Sequence, residues 1–209
     1  MTSEKIKSSE LVGIPMTSQE IQKARKIIED GGTVIFPTET AYGIAADATN
    51  EEAVEKVYEM KQRPRSKGLT CIVSSLKQAE KYARLGEKER KLIEEFMPGP
   101  LTLVTEKKSG LPGNLNEKFV FRISSSELAR KLASETPITA TSANISGSET
   151  SYSVEDIDPE LRQKADLVIE RGELERSPTS TIVEFVEGEL ELYREGPISR
   201  SQILEMLEE

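Results

Sequence analysis

A chain of 209 residues, 36% of them hydrophobic, is long enough for one sizeable core and short for two independent ones, so one domain is expected. It contains no histidine and a single cysteine, Cys71, which excludes imidazole bases and ligands, histidine-dependent triads, internal disulfides and cysteine-cluster metal sites. A formal net charge of −9 argues against coating nucleic acid through bulk charge, although a local basic patch on an acidic body can still focus anions into a cleft.

The first ten residues, MTSEKIKSSE, have no apolar run, and no later segment has the length needed to cross a bilayer. A soluble, cytoplasmic chain without membrane association is expected. Residues 1–12 read as a flexible tail and 13–209 as the domain. Ser18 reads as the N-cap of a helix with Ile21, Ala24, Ile27 and Ile28 on one face, ended by Gly31-Gly32. Thr33 to Phe36 follows as a buried strand. Asn50 caps a second helix that turns Ala53, Val54, Val57 and Tyr58 inward, and Leu69 to Val73 is the next strand, with Cys71 as a buried thiol. Helices are expected at 75–84 and 87–96, stopped by Pro98-Gly99-Pro100, then strands at 101–105 and 119–123. A helix from Ser126 to Ser134, a strand Ile138 to Thr141, a polar stretch from Ser142 to Ser153, strands at 167–169, 180–186 and 189–194, and a helix from Gln202 to Leu207 complete the chain. Interleaved helices and strands indicate an α/β domain; a turn at Glu187-Gly188 makes the last two strands antiparallel, so the sheet is expected to be mixed.

Three segments carry candidate chemistry. Pro37-Thr-Glu-Thr-Ala-Tyr-Gly43 follows a strand end, where open α/β sheets bind ligands, and offers the hydroxyls of Thr38 and Thr40; it also reads as a plain polar turn. Lys61-Gln-Arg63-Pro-Arg65-Ser-Lys67 places four cations in seven residues, suiting a polyphosphate, an RNA backbone or simply a solvated loop. Ala140-Thr141-Ser142-Ala143-Asn144-Ile145-Ser146-Gly147 reads either as a pocket floor of donors and acceptors or as a hydrogen-bonded turn. Arg122, within an apolar strand, needs an internal acidic partner or a ligand carboxylate. Thr179-Ser180-Thr181 and Arg194 are further polar groups at strand termini.

Taken in order, these segments resemble the YrdC-type threonylcarbamoyl-adenylate synthase family in its short form. The resemblance rests on Gly31 to Ile44, Lys61 to Leu69, Phe96-Met-Pro-Gly-Pro-Leu-Thr102, Phe121-Arg-Ile123, Thr141 to Gly147, Ser180-Thr-Ile182 and Leu192-Tyr-Arg-Glu-Gly196. It implies a twisted mixed sheet around a deep, positively charged cavity. The implied reaction joins L-threonine, bicarbonate and ATP, with Mg²⁺ on the nucleotide, into threonylcarbamoyl-AMP and pyrophosphate, the first step of threonylcarbamoyladenosine modification of tRNA. Proteins that transfer the threonylcarbamoyl group are then the implied partners. Position by position, the resemblance makes Lys61 and Arg63 catalytic and gives L-threonine to Thr40, Arg122, Ala140, Ser180 and Thr181. It gives ATP to Arg63, Lys67, Ser142, Asn144 and Arg194, and assigns no metal ligand to the protein.

The sequence departs from the family pattern in four ways. Ile72 stands where many members have a histidine, Phe96-Met97 replaces a tryptophan, and Gly68 replaces a proline. The second C-terminal domain of longer relatives has no counterpart in these residues. Two rival readings remain at this level: a non-catalytic module binding tRNA or double-stranded RNA through the basic loop, and carbamoyl transfer from carbamoyl phosphate as in hydrogenase-maturation proteins. Only 5% of the residues are aromatic, which argues against base stacking as the main source of any RNA affinity.

Overall fold

The computed structural model describes residues 4–6 and 16–208. Its strands, numbered along the chain, form two sheets. The first runs β1 (Glu4–Ile6), β9 (Leu167–Ile169), β2 (Val34–Pro37), β3 (Tyr42–Ala45) and β8 (Thr141–Ser142). The second runs β11 (Glu189–Arg194), β10 (Thr181–Val186), β5 (Leu101–Thr105), β6 (Phe119–Arg122), β4 (Cys71–Ile72) and β7 (Ile138–Thr139). Both are mixed: β2 is parallel to β9 and antiparallel to β3, and β10 is parallel to β5 and antiparallel to β11. The α/β class and mixed pairing therefore hold, but the single sheet expected from the sequence is divided in two.

The division occurs within Ile138 to Thr141, expected as one strand. Residues 138 and 139 pair with β4, whereas 141 and 142 pair with β3, so the chain changes sheets at Ala140. Thr139, fully buried, makes the junction: its amide donates to Ala46 O at 2.9 Å, its hydroxyl to Ile44 O at 3.0 Å, and it accepts from Ala46 N at 3.0 Å. These bonds tie the end of β7 to β3 and Ala46 beside it.

Local chemistry explains the helices. Helix α1 (Ser18–Glu29) is capped by Thr17, one residue earlier than expected, because Glu20 returns to the Thr17 amide at 2.8 Å while the Thr17 hydroxyl accepts from Glu20 N; this is a capping box. Asn50 caps α2 (Glu51–Met60) as expected, accepting from the amides of Glu52 and Ala53, and the face it predicts is buried. Helices α3 (Leu76–Tyr82), α4 (Glu87–Phe96), α5 (Glu127–Leu132) and α7 (Arg200–Glu208) fall where the hydrophobic spacing places them. The remaining helix, α6 (Pro159–Lys164), was not expected; Asp158 caps it and Pro159 occupies its first turn. The hairpin turn at Glu187 and Gly188 has φ of 53° and 85°, the primed geometry that matches strand twist.

Of the segment expected as a tail, Glu4–Ile6 forms the edge strand beside β9, and its other residues lie outside the described ones. Cys71 is fully buried, and burial pushes its thiol up, so it is a core residue. Ile72 is also fully buried, in a cluster with Val34, Phe36 and Ile138. Among the described residues no helix is long and apolar enough to cross a membrane.

Candidate active site

The two sheets part around a cavity of about 310 Å³, at the lower end of the roughly 300–1,000 Å³ usual for small-molecule sites. One wall is the loop Thr38 to Ala41, which joins β2 to β3 and is shorter than expected because β3 begins at Tyr42. The Thr38 hydroxyl sets this loop, donating to Ala41 O at 2.7 Å and accepting from the amides of Thr40 and Ala41 at 3.2 Å. Thr40 is thereby presented to the cavity. The floor is the crossing point itself, Ala140, Thr141 and Ser142; the Ala140 amide donates to Thr70 O at 2.8 Å.

Three arginines from three separate segments line the same space: Arg63, Arg122 and Arg194. Arg63 donates from Nε to Lys67 O and from Nη2 to Gly68 O, both at 2.8 Å, so it braces its own loop while facing the cavity. Arg194 donates to the carbonyl and hydroxyl of Ser180 at 2.8 and 3.2 Å. Burial lowers the pKa of both guanidiniums, with nearby Arg122 adding to the effect on Arg194; both remain far above any working pH. Arg122 is buried and paired with Glu39, which answers the question its sequence position raised: it has an internal partner and a place in the cavity wall.

Of the positions singled out in the sequence, Thr40, Arg63, Arg122, Ala140, Ser142, Ser180 and Arg194 meet at this cavity. The other four do not line it. Lys61 is 1% exposed; its ammonium donates to the carbonyls of Ser142 and Asn144, and burial together with the Arg63 charge pulls its pKa down to about 7. Asn144 spends its amide on Ile145 O and Ser148 O and accepts from the Ser142 hydroxyl. Thr181 turns away, donating to Ile198 O and accepting from the amides of Gly196 and Ile198. Lys67 is exposed and contributes its carbonyl to Arg63. The fourth cation of the basic run, Arg65, pairs with Glu55 and lies 4.2 Å over the Tyr58 ring.

Thr150, Tyr152, Ser177 and Thr179 complete the wall. All but Thr179 escaped sequence reasoning, because they belong to irregular stretches without hydrophobic period. Tyr42 ties these stretches down: its phenol donates to Gly172 O at 2.8 Å and accepts from Arg171 N at 2.9 Å. A larger concavity of about 430 Å³ lies on the other side of Glu39, with more apolar lining that includes Met16, Ile21, Leu128 and Leu174. The convergent cations and hydroxyls belong to the smaller one. Among the described residues no three acidic, cysteine or histidine side chains gather as a metal cage.

With this geometry in place, comparison with known proteins becomes informative. The Sua5/YciO/YrdC family model, described as telomere recombination, matches residues 26–196. A relative from Methanocaldococcus jannaschii, provisionally named threonylcarbamoyl-AMP synthase, is 41% identical over 175 residues, covering 83% of this chain and 84% of the relative. Threonylcarbamoyl-AMP synthase of Pyrococcus abyssi is 36% identical over 197 residues, covering 91% of this chain. The chain spans 58% of that protein's length. The crystal structure of P. abyssi Sua5 complexed with L-threonine superposes with a TM-score of 0.86 at 33% identity, over 92% of this chain and 58% of that one. This chain belongs to the YrdC/Sua5-type threonylcarbamoyl-AMP synthase family, and its mixed α/β architecture is the fold of that family.

Proposed function

We propose that this chain condenses L-threonine, bicarbonate and ATP into threonylcarbamoyl-AMP, releasing water and pyrophosphate, and passes the adenylate to proteins that place the threonylcarbamoyl group on tRNA. The observation that carries this reading is the convergence of Arg63, Arg122 and Arg194 on a cavity otherwise lined by hydroxyls and small residues. One of the three is balanced by Glu39. The other two are held by neutral oxygens, which leaves a net positive cavity suited to a polyphosphate together with a carboxylate.

In this reading the threonine amine bonds to the carbon of bicarbonate with loss of water, and a carbamate oxygen then attacks the α-phosphorus of ATP as pyrophosphate leaves. Such a sequence requires placement of reactants and neutralisation of phosphate charge more than a protein nucleophile, so a chain without histidine can perform it. Arg63 faces the phosphates, Arg194 closes the nucleotide side, and Ser142 binds the nucleotide. Arg122 receives the threonine carboxylate, with Thr40, Ala140 and Ser180 around the amino acid. Mg²⁺ would shield the phosphates and would come with ATP, since the lining supplies cations and hydroxyls rather than a cluster of carboxylates.

Lys61, Asn144 and Thr181 act from behind the wall, by holding Ser142 and Ser180 in place. The basic loop is poorly suited to an RNA backbone, because Lys61 is buried and Arg65 is committed to Glu55. The test is to incubate the purified chain with magnesium-ATP, L-threonine and bicarbonate, omit each in turn, and detect threonylcarbamoyl-AMP by mass. Product that requires all three is expected; no product from a mixture whose components all bind overturns the proposal.

A further inference from the structure

The ion pair between Glu39 and Arg122 joins the two sheets at the rim of the cavity. Glu39 is carried by the β2–β3 loop of the first sheet, and Arg122 ends β6 of the second. The Glu39 carboxylate is held from two sides, by Arg122 Nη1 and by the Ser124 hydroxyl. Ser124 is itself fully buried and also accepts from Ser126 N at 3.1 Å, so the carboxylate is anchored rather than trailing into solvent. The Arg122 guanidinium makes no further hydrogen bond among the described residues, and Arg122 lines the cavity.

We infer that Glu39 is a positioning residue for the amino-acid substrate, fixing the Arg122 guanidinium so that it receives the substrate carboxylate at a set distance from Thr40. This rests on the assignment of Arg122 proposed above. A guanidinium presents five N–H donors in a rigid plane and accepts a carboxylate on more than one edge; with Nη1 committed to Glu39, another edge stays available to a ligand in a defined orientation. Without Glu39 a buried guanidinium would stand uncompensated in the empty protein, and its long stem would sample several rotamers. Glu39 immediately precedes Thr40 in a loop that the Thr38 hydroxyl rigidifies. The same short segment therefore sets the carboxylate receiver from one sheet and the hydroxyl wall from the other.

Glu39→Ala, Glu39→Gln and Ser124→Ala separate this role from general stability. Glu39→Ala should weaken L-threonine binding, read by calorimetry and as KM for threonine, roughly tenfold or more, while KM for ATP stays unchanged. Glu39→Gln keeps a neutral acceptor and should fall between Glu39→Ala and wild type, and Ser124→Ala should move the same way by less. A merely structural Glu39 would instead raise KM for ATP and for threonine alike, which overturns the inference whatever the thermal midpoint does. Wild type that binds ATP but not L-threonine refutes the substrate assignment, and this inference with it; wild type that binds threonine no better than a folded Glu39→Ala or Glu39→Gln refutes the role of Glu39 alone. Should Glu39→Ala fail to fold, Glu39→Gln and Ser124→Ala decide the matter by the same readouts.

Discussion

The ammonium of Lys61 lies 2.7 Å from the main-chain carbonyl oxygen of Asn144, inside the protein. It also donates to the carbonyl of Ser142, and the Ser146 amide returns a bond to Lys61 O at 2.9 Å. The end of α2 is thus fastened to the segment that floors the cavity. Stability and site order should consequently depend on pH in opposite senses. The folded pKa of about 7 lies below the ordinary 10.5, so between these values the unfolded chain binds more protons and stability rises with pH. Against Lys61→Met, which lacks this titration, wild type should gain in urea denaturation as pH rises through that window. ATP affinity should fall as pH rises through about 7, where the folded protein loses the ammonium charge and the charge-assisted bonds to Ser142 and Asn144 weaken. Parallel stability profiles for the two proteins would contradict this account of Lys61.

Arg63→Ala should slow adenylate formation by about a hundredfold or more, the scale of removing a group that stabilises developing charge. The fold should survive, because Asn116 independently holds the same loop through Leu69 N and Leu69 O at 2.7 and 2.8 Å. Steady-state kinetics beside far-ultraviolet circular dichroism check both halves; wild-type turnover would remove Arg63 from the mechanism.

Gly68 matters for space. A methyl group there would lie 2.3 Å from Asn116 Oδ1 and 2.9 Å from its Cγ. Gly68→Ala should therefore displace Asn116, cost about 1–3 kcal/mol of stability as an overpacked site, and misplace Arg63, whose Nη2 bonds Gly68 O. Asn116→Ala should relieve the clash in the double variant, giving less than additive losses in denaturation experiments.

Adjacent residues Ser180 and Thr181 should respond differently. Thr181→Val removes an acceptor for two amides, Gly196 at 2.9 Å and Ile198 at 3.1 Å, and a donor to Ile198 O at 2.7 Å. The unsatisfied groups should cost about 2–4 kcal/mol, read as a lowered thermal midpoint, with KM values retained in the folded fraction. Ser180→Ala instead removes a hydroxyl from the amino-acid side of the cavity together with a partner of Arg194, and should raise KM for L-threonine and for ATP while lowering the midpoint less than Thr181→Val. The opposite pattern would exchange their roles.

Much of the scaffold was legible because its signals are local. Asn50 caps a helix in the sequence as it does in the structure, the helix expected from Ser126 begins one residue later with that serine as its cap, and the buried face of α1 follows from residues spaced at the helical period. Helix α6 had an equally local signal, Asp158 before Pro159, that was passed over in a polar stretch. The change of sheets at Ala140 had none: Ile138 to Thr141 has the composition of one strand, and only tertiary pairing divides it. The same limit governs the site. Arg63, Arg122 and Arg194 stand out as cations at strand or helix ends, whereas the burial of Lys61 and the inward turn of Tyr152 and Ser177 depend on how distant segments pack. Adjacent cations in the basic run look alike in sequence, and the fold sends them to the cavity, the interior and the surface.

The central claim is tested most directly by supplying isotopically labelled bicarbonate with L-threonine and magnesium-ATP, and measuring label in the adenylate alongside pyrophosphate. The account predicts a single labelled carbon per threonylcarbamoyl-AMP and pyrophosphate in equal amount, both lost when threonine is withheld. Pyrophosphate released independently of threonine, or an adenylate free of label, would contradict it.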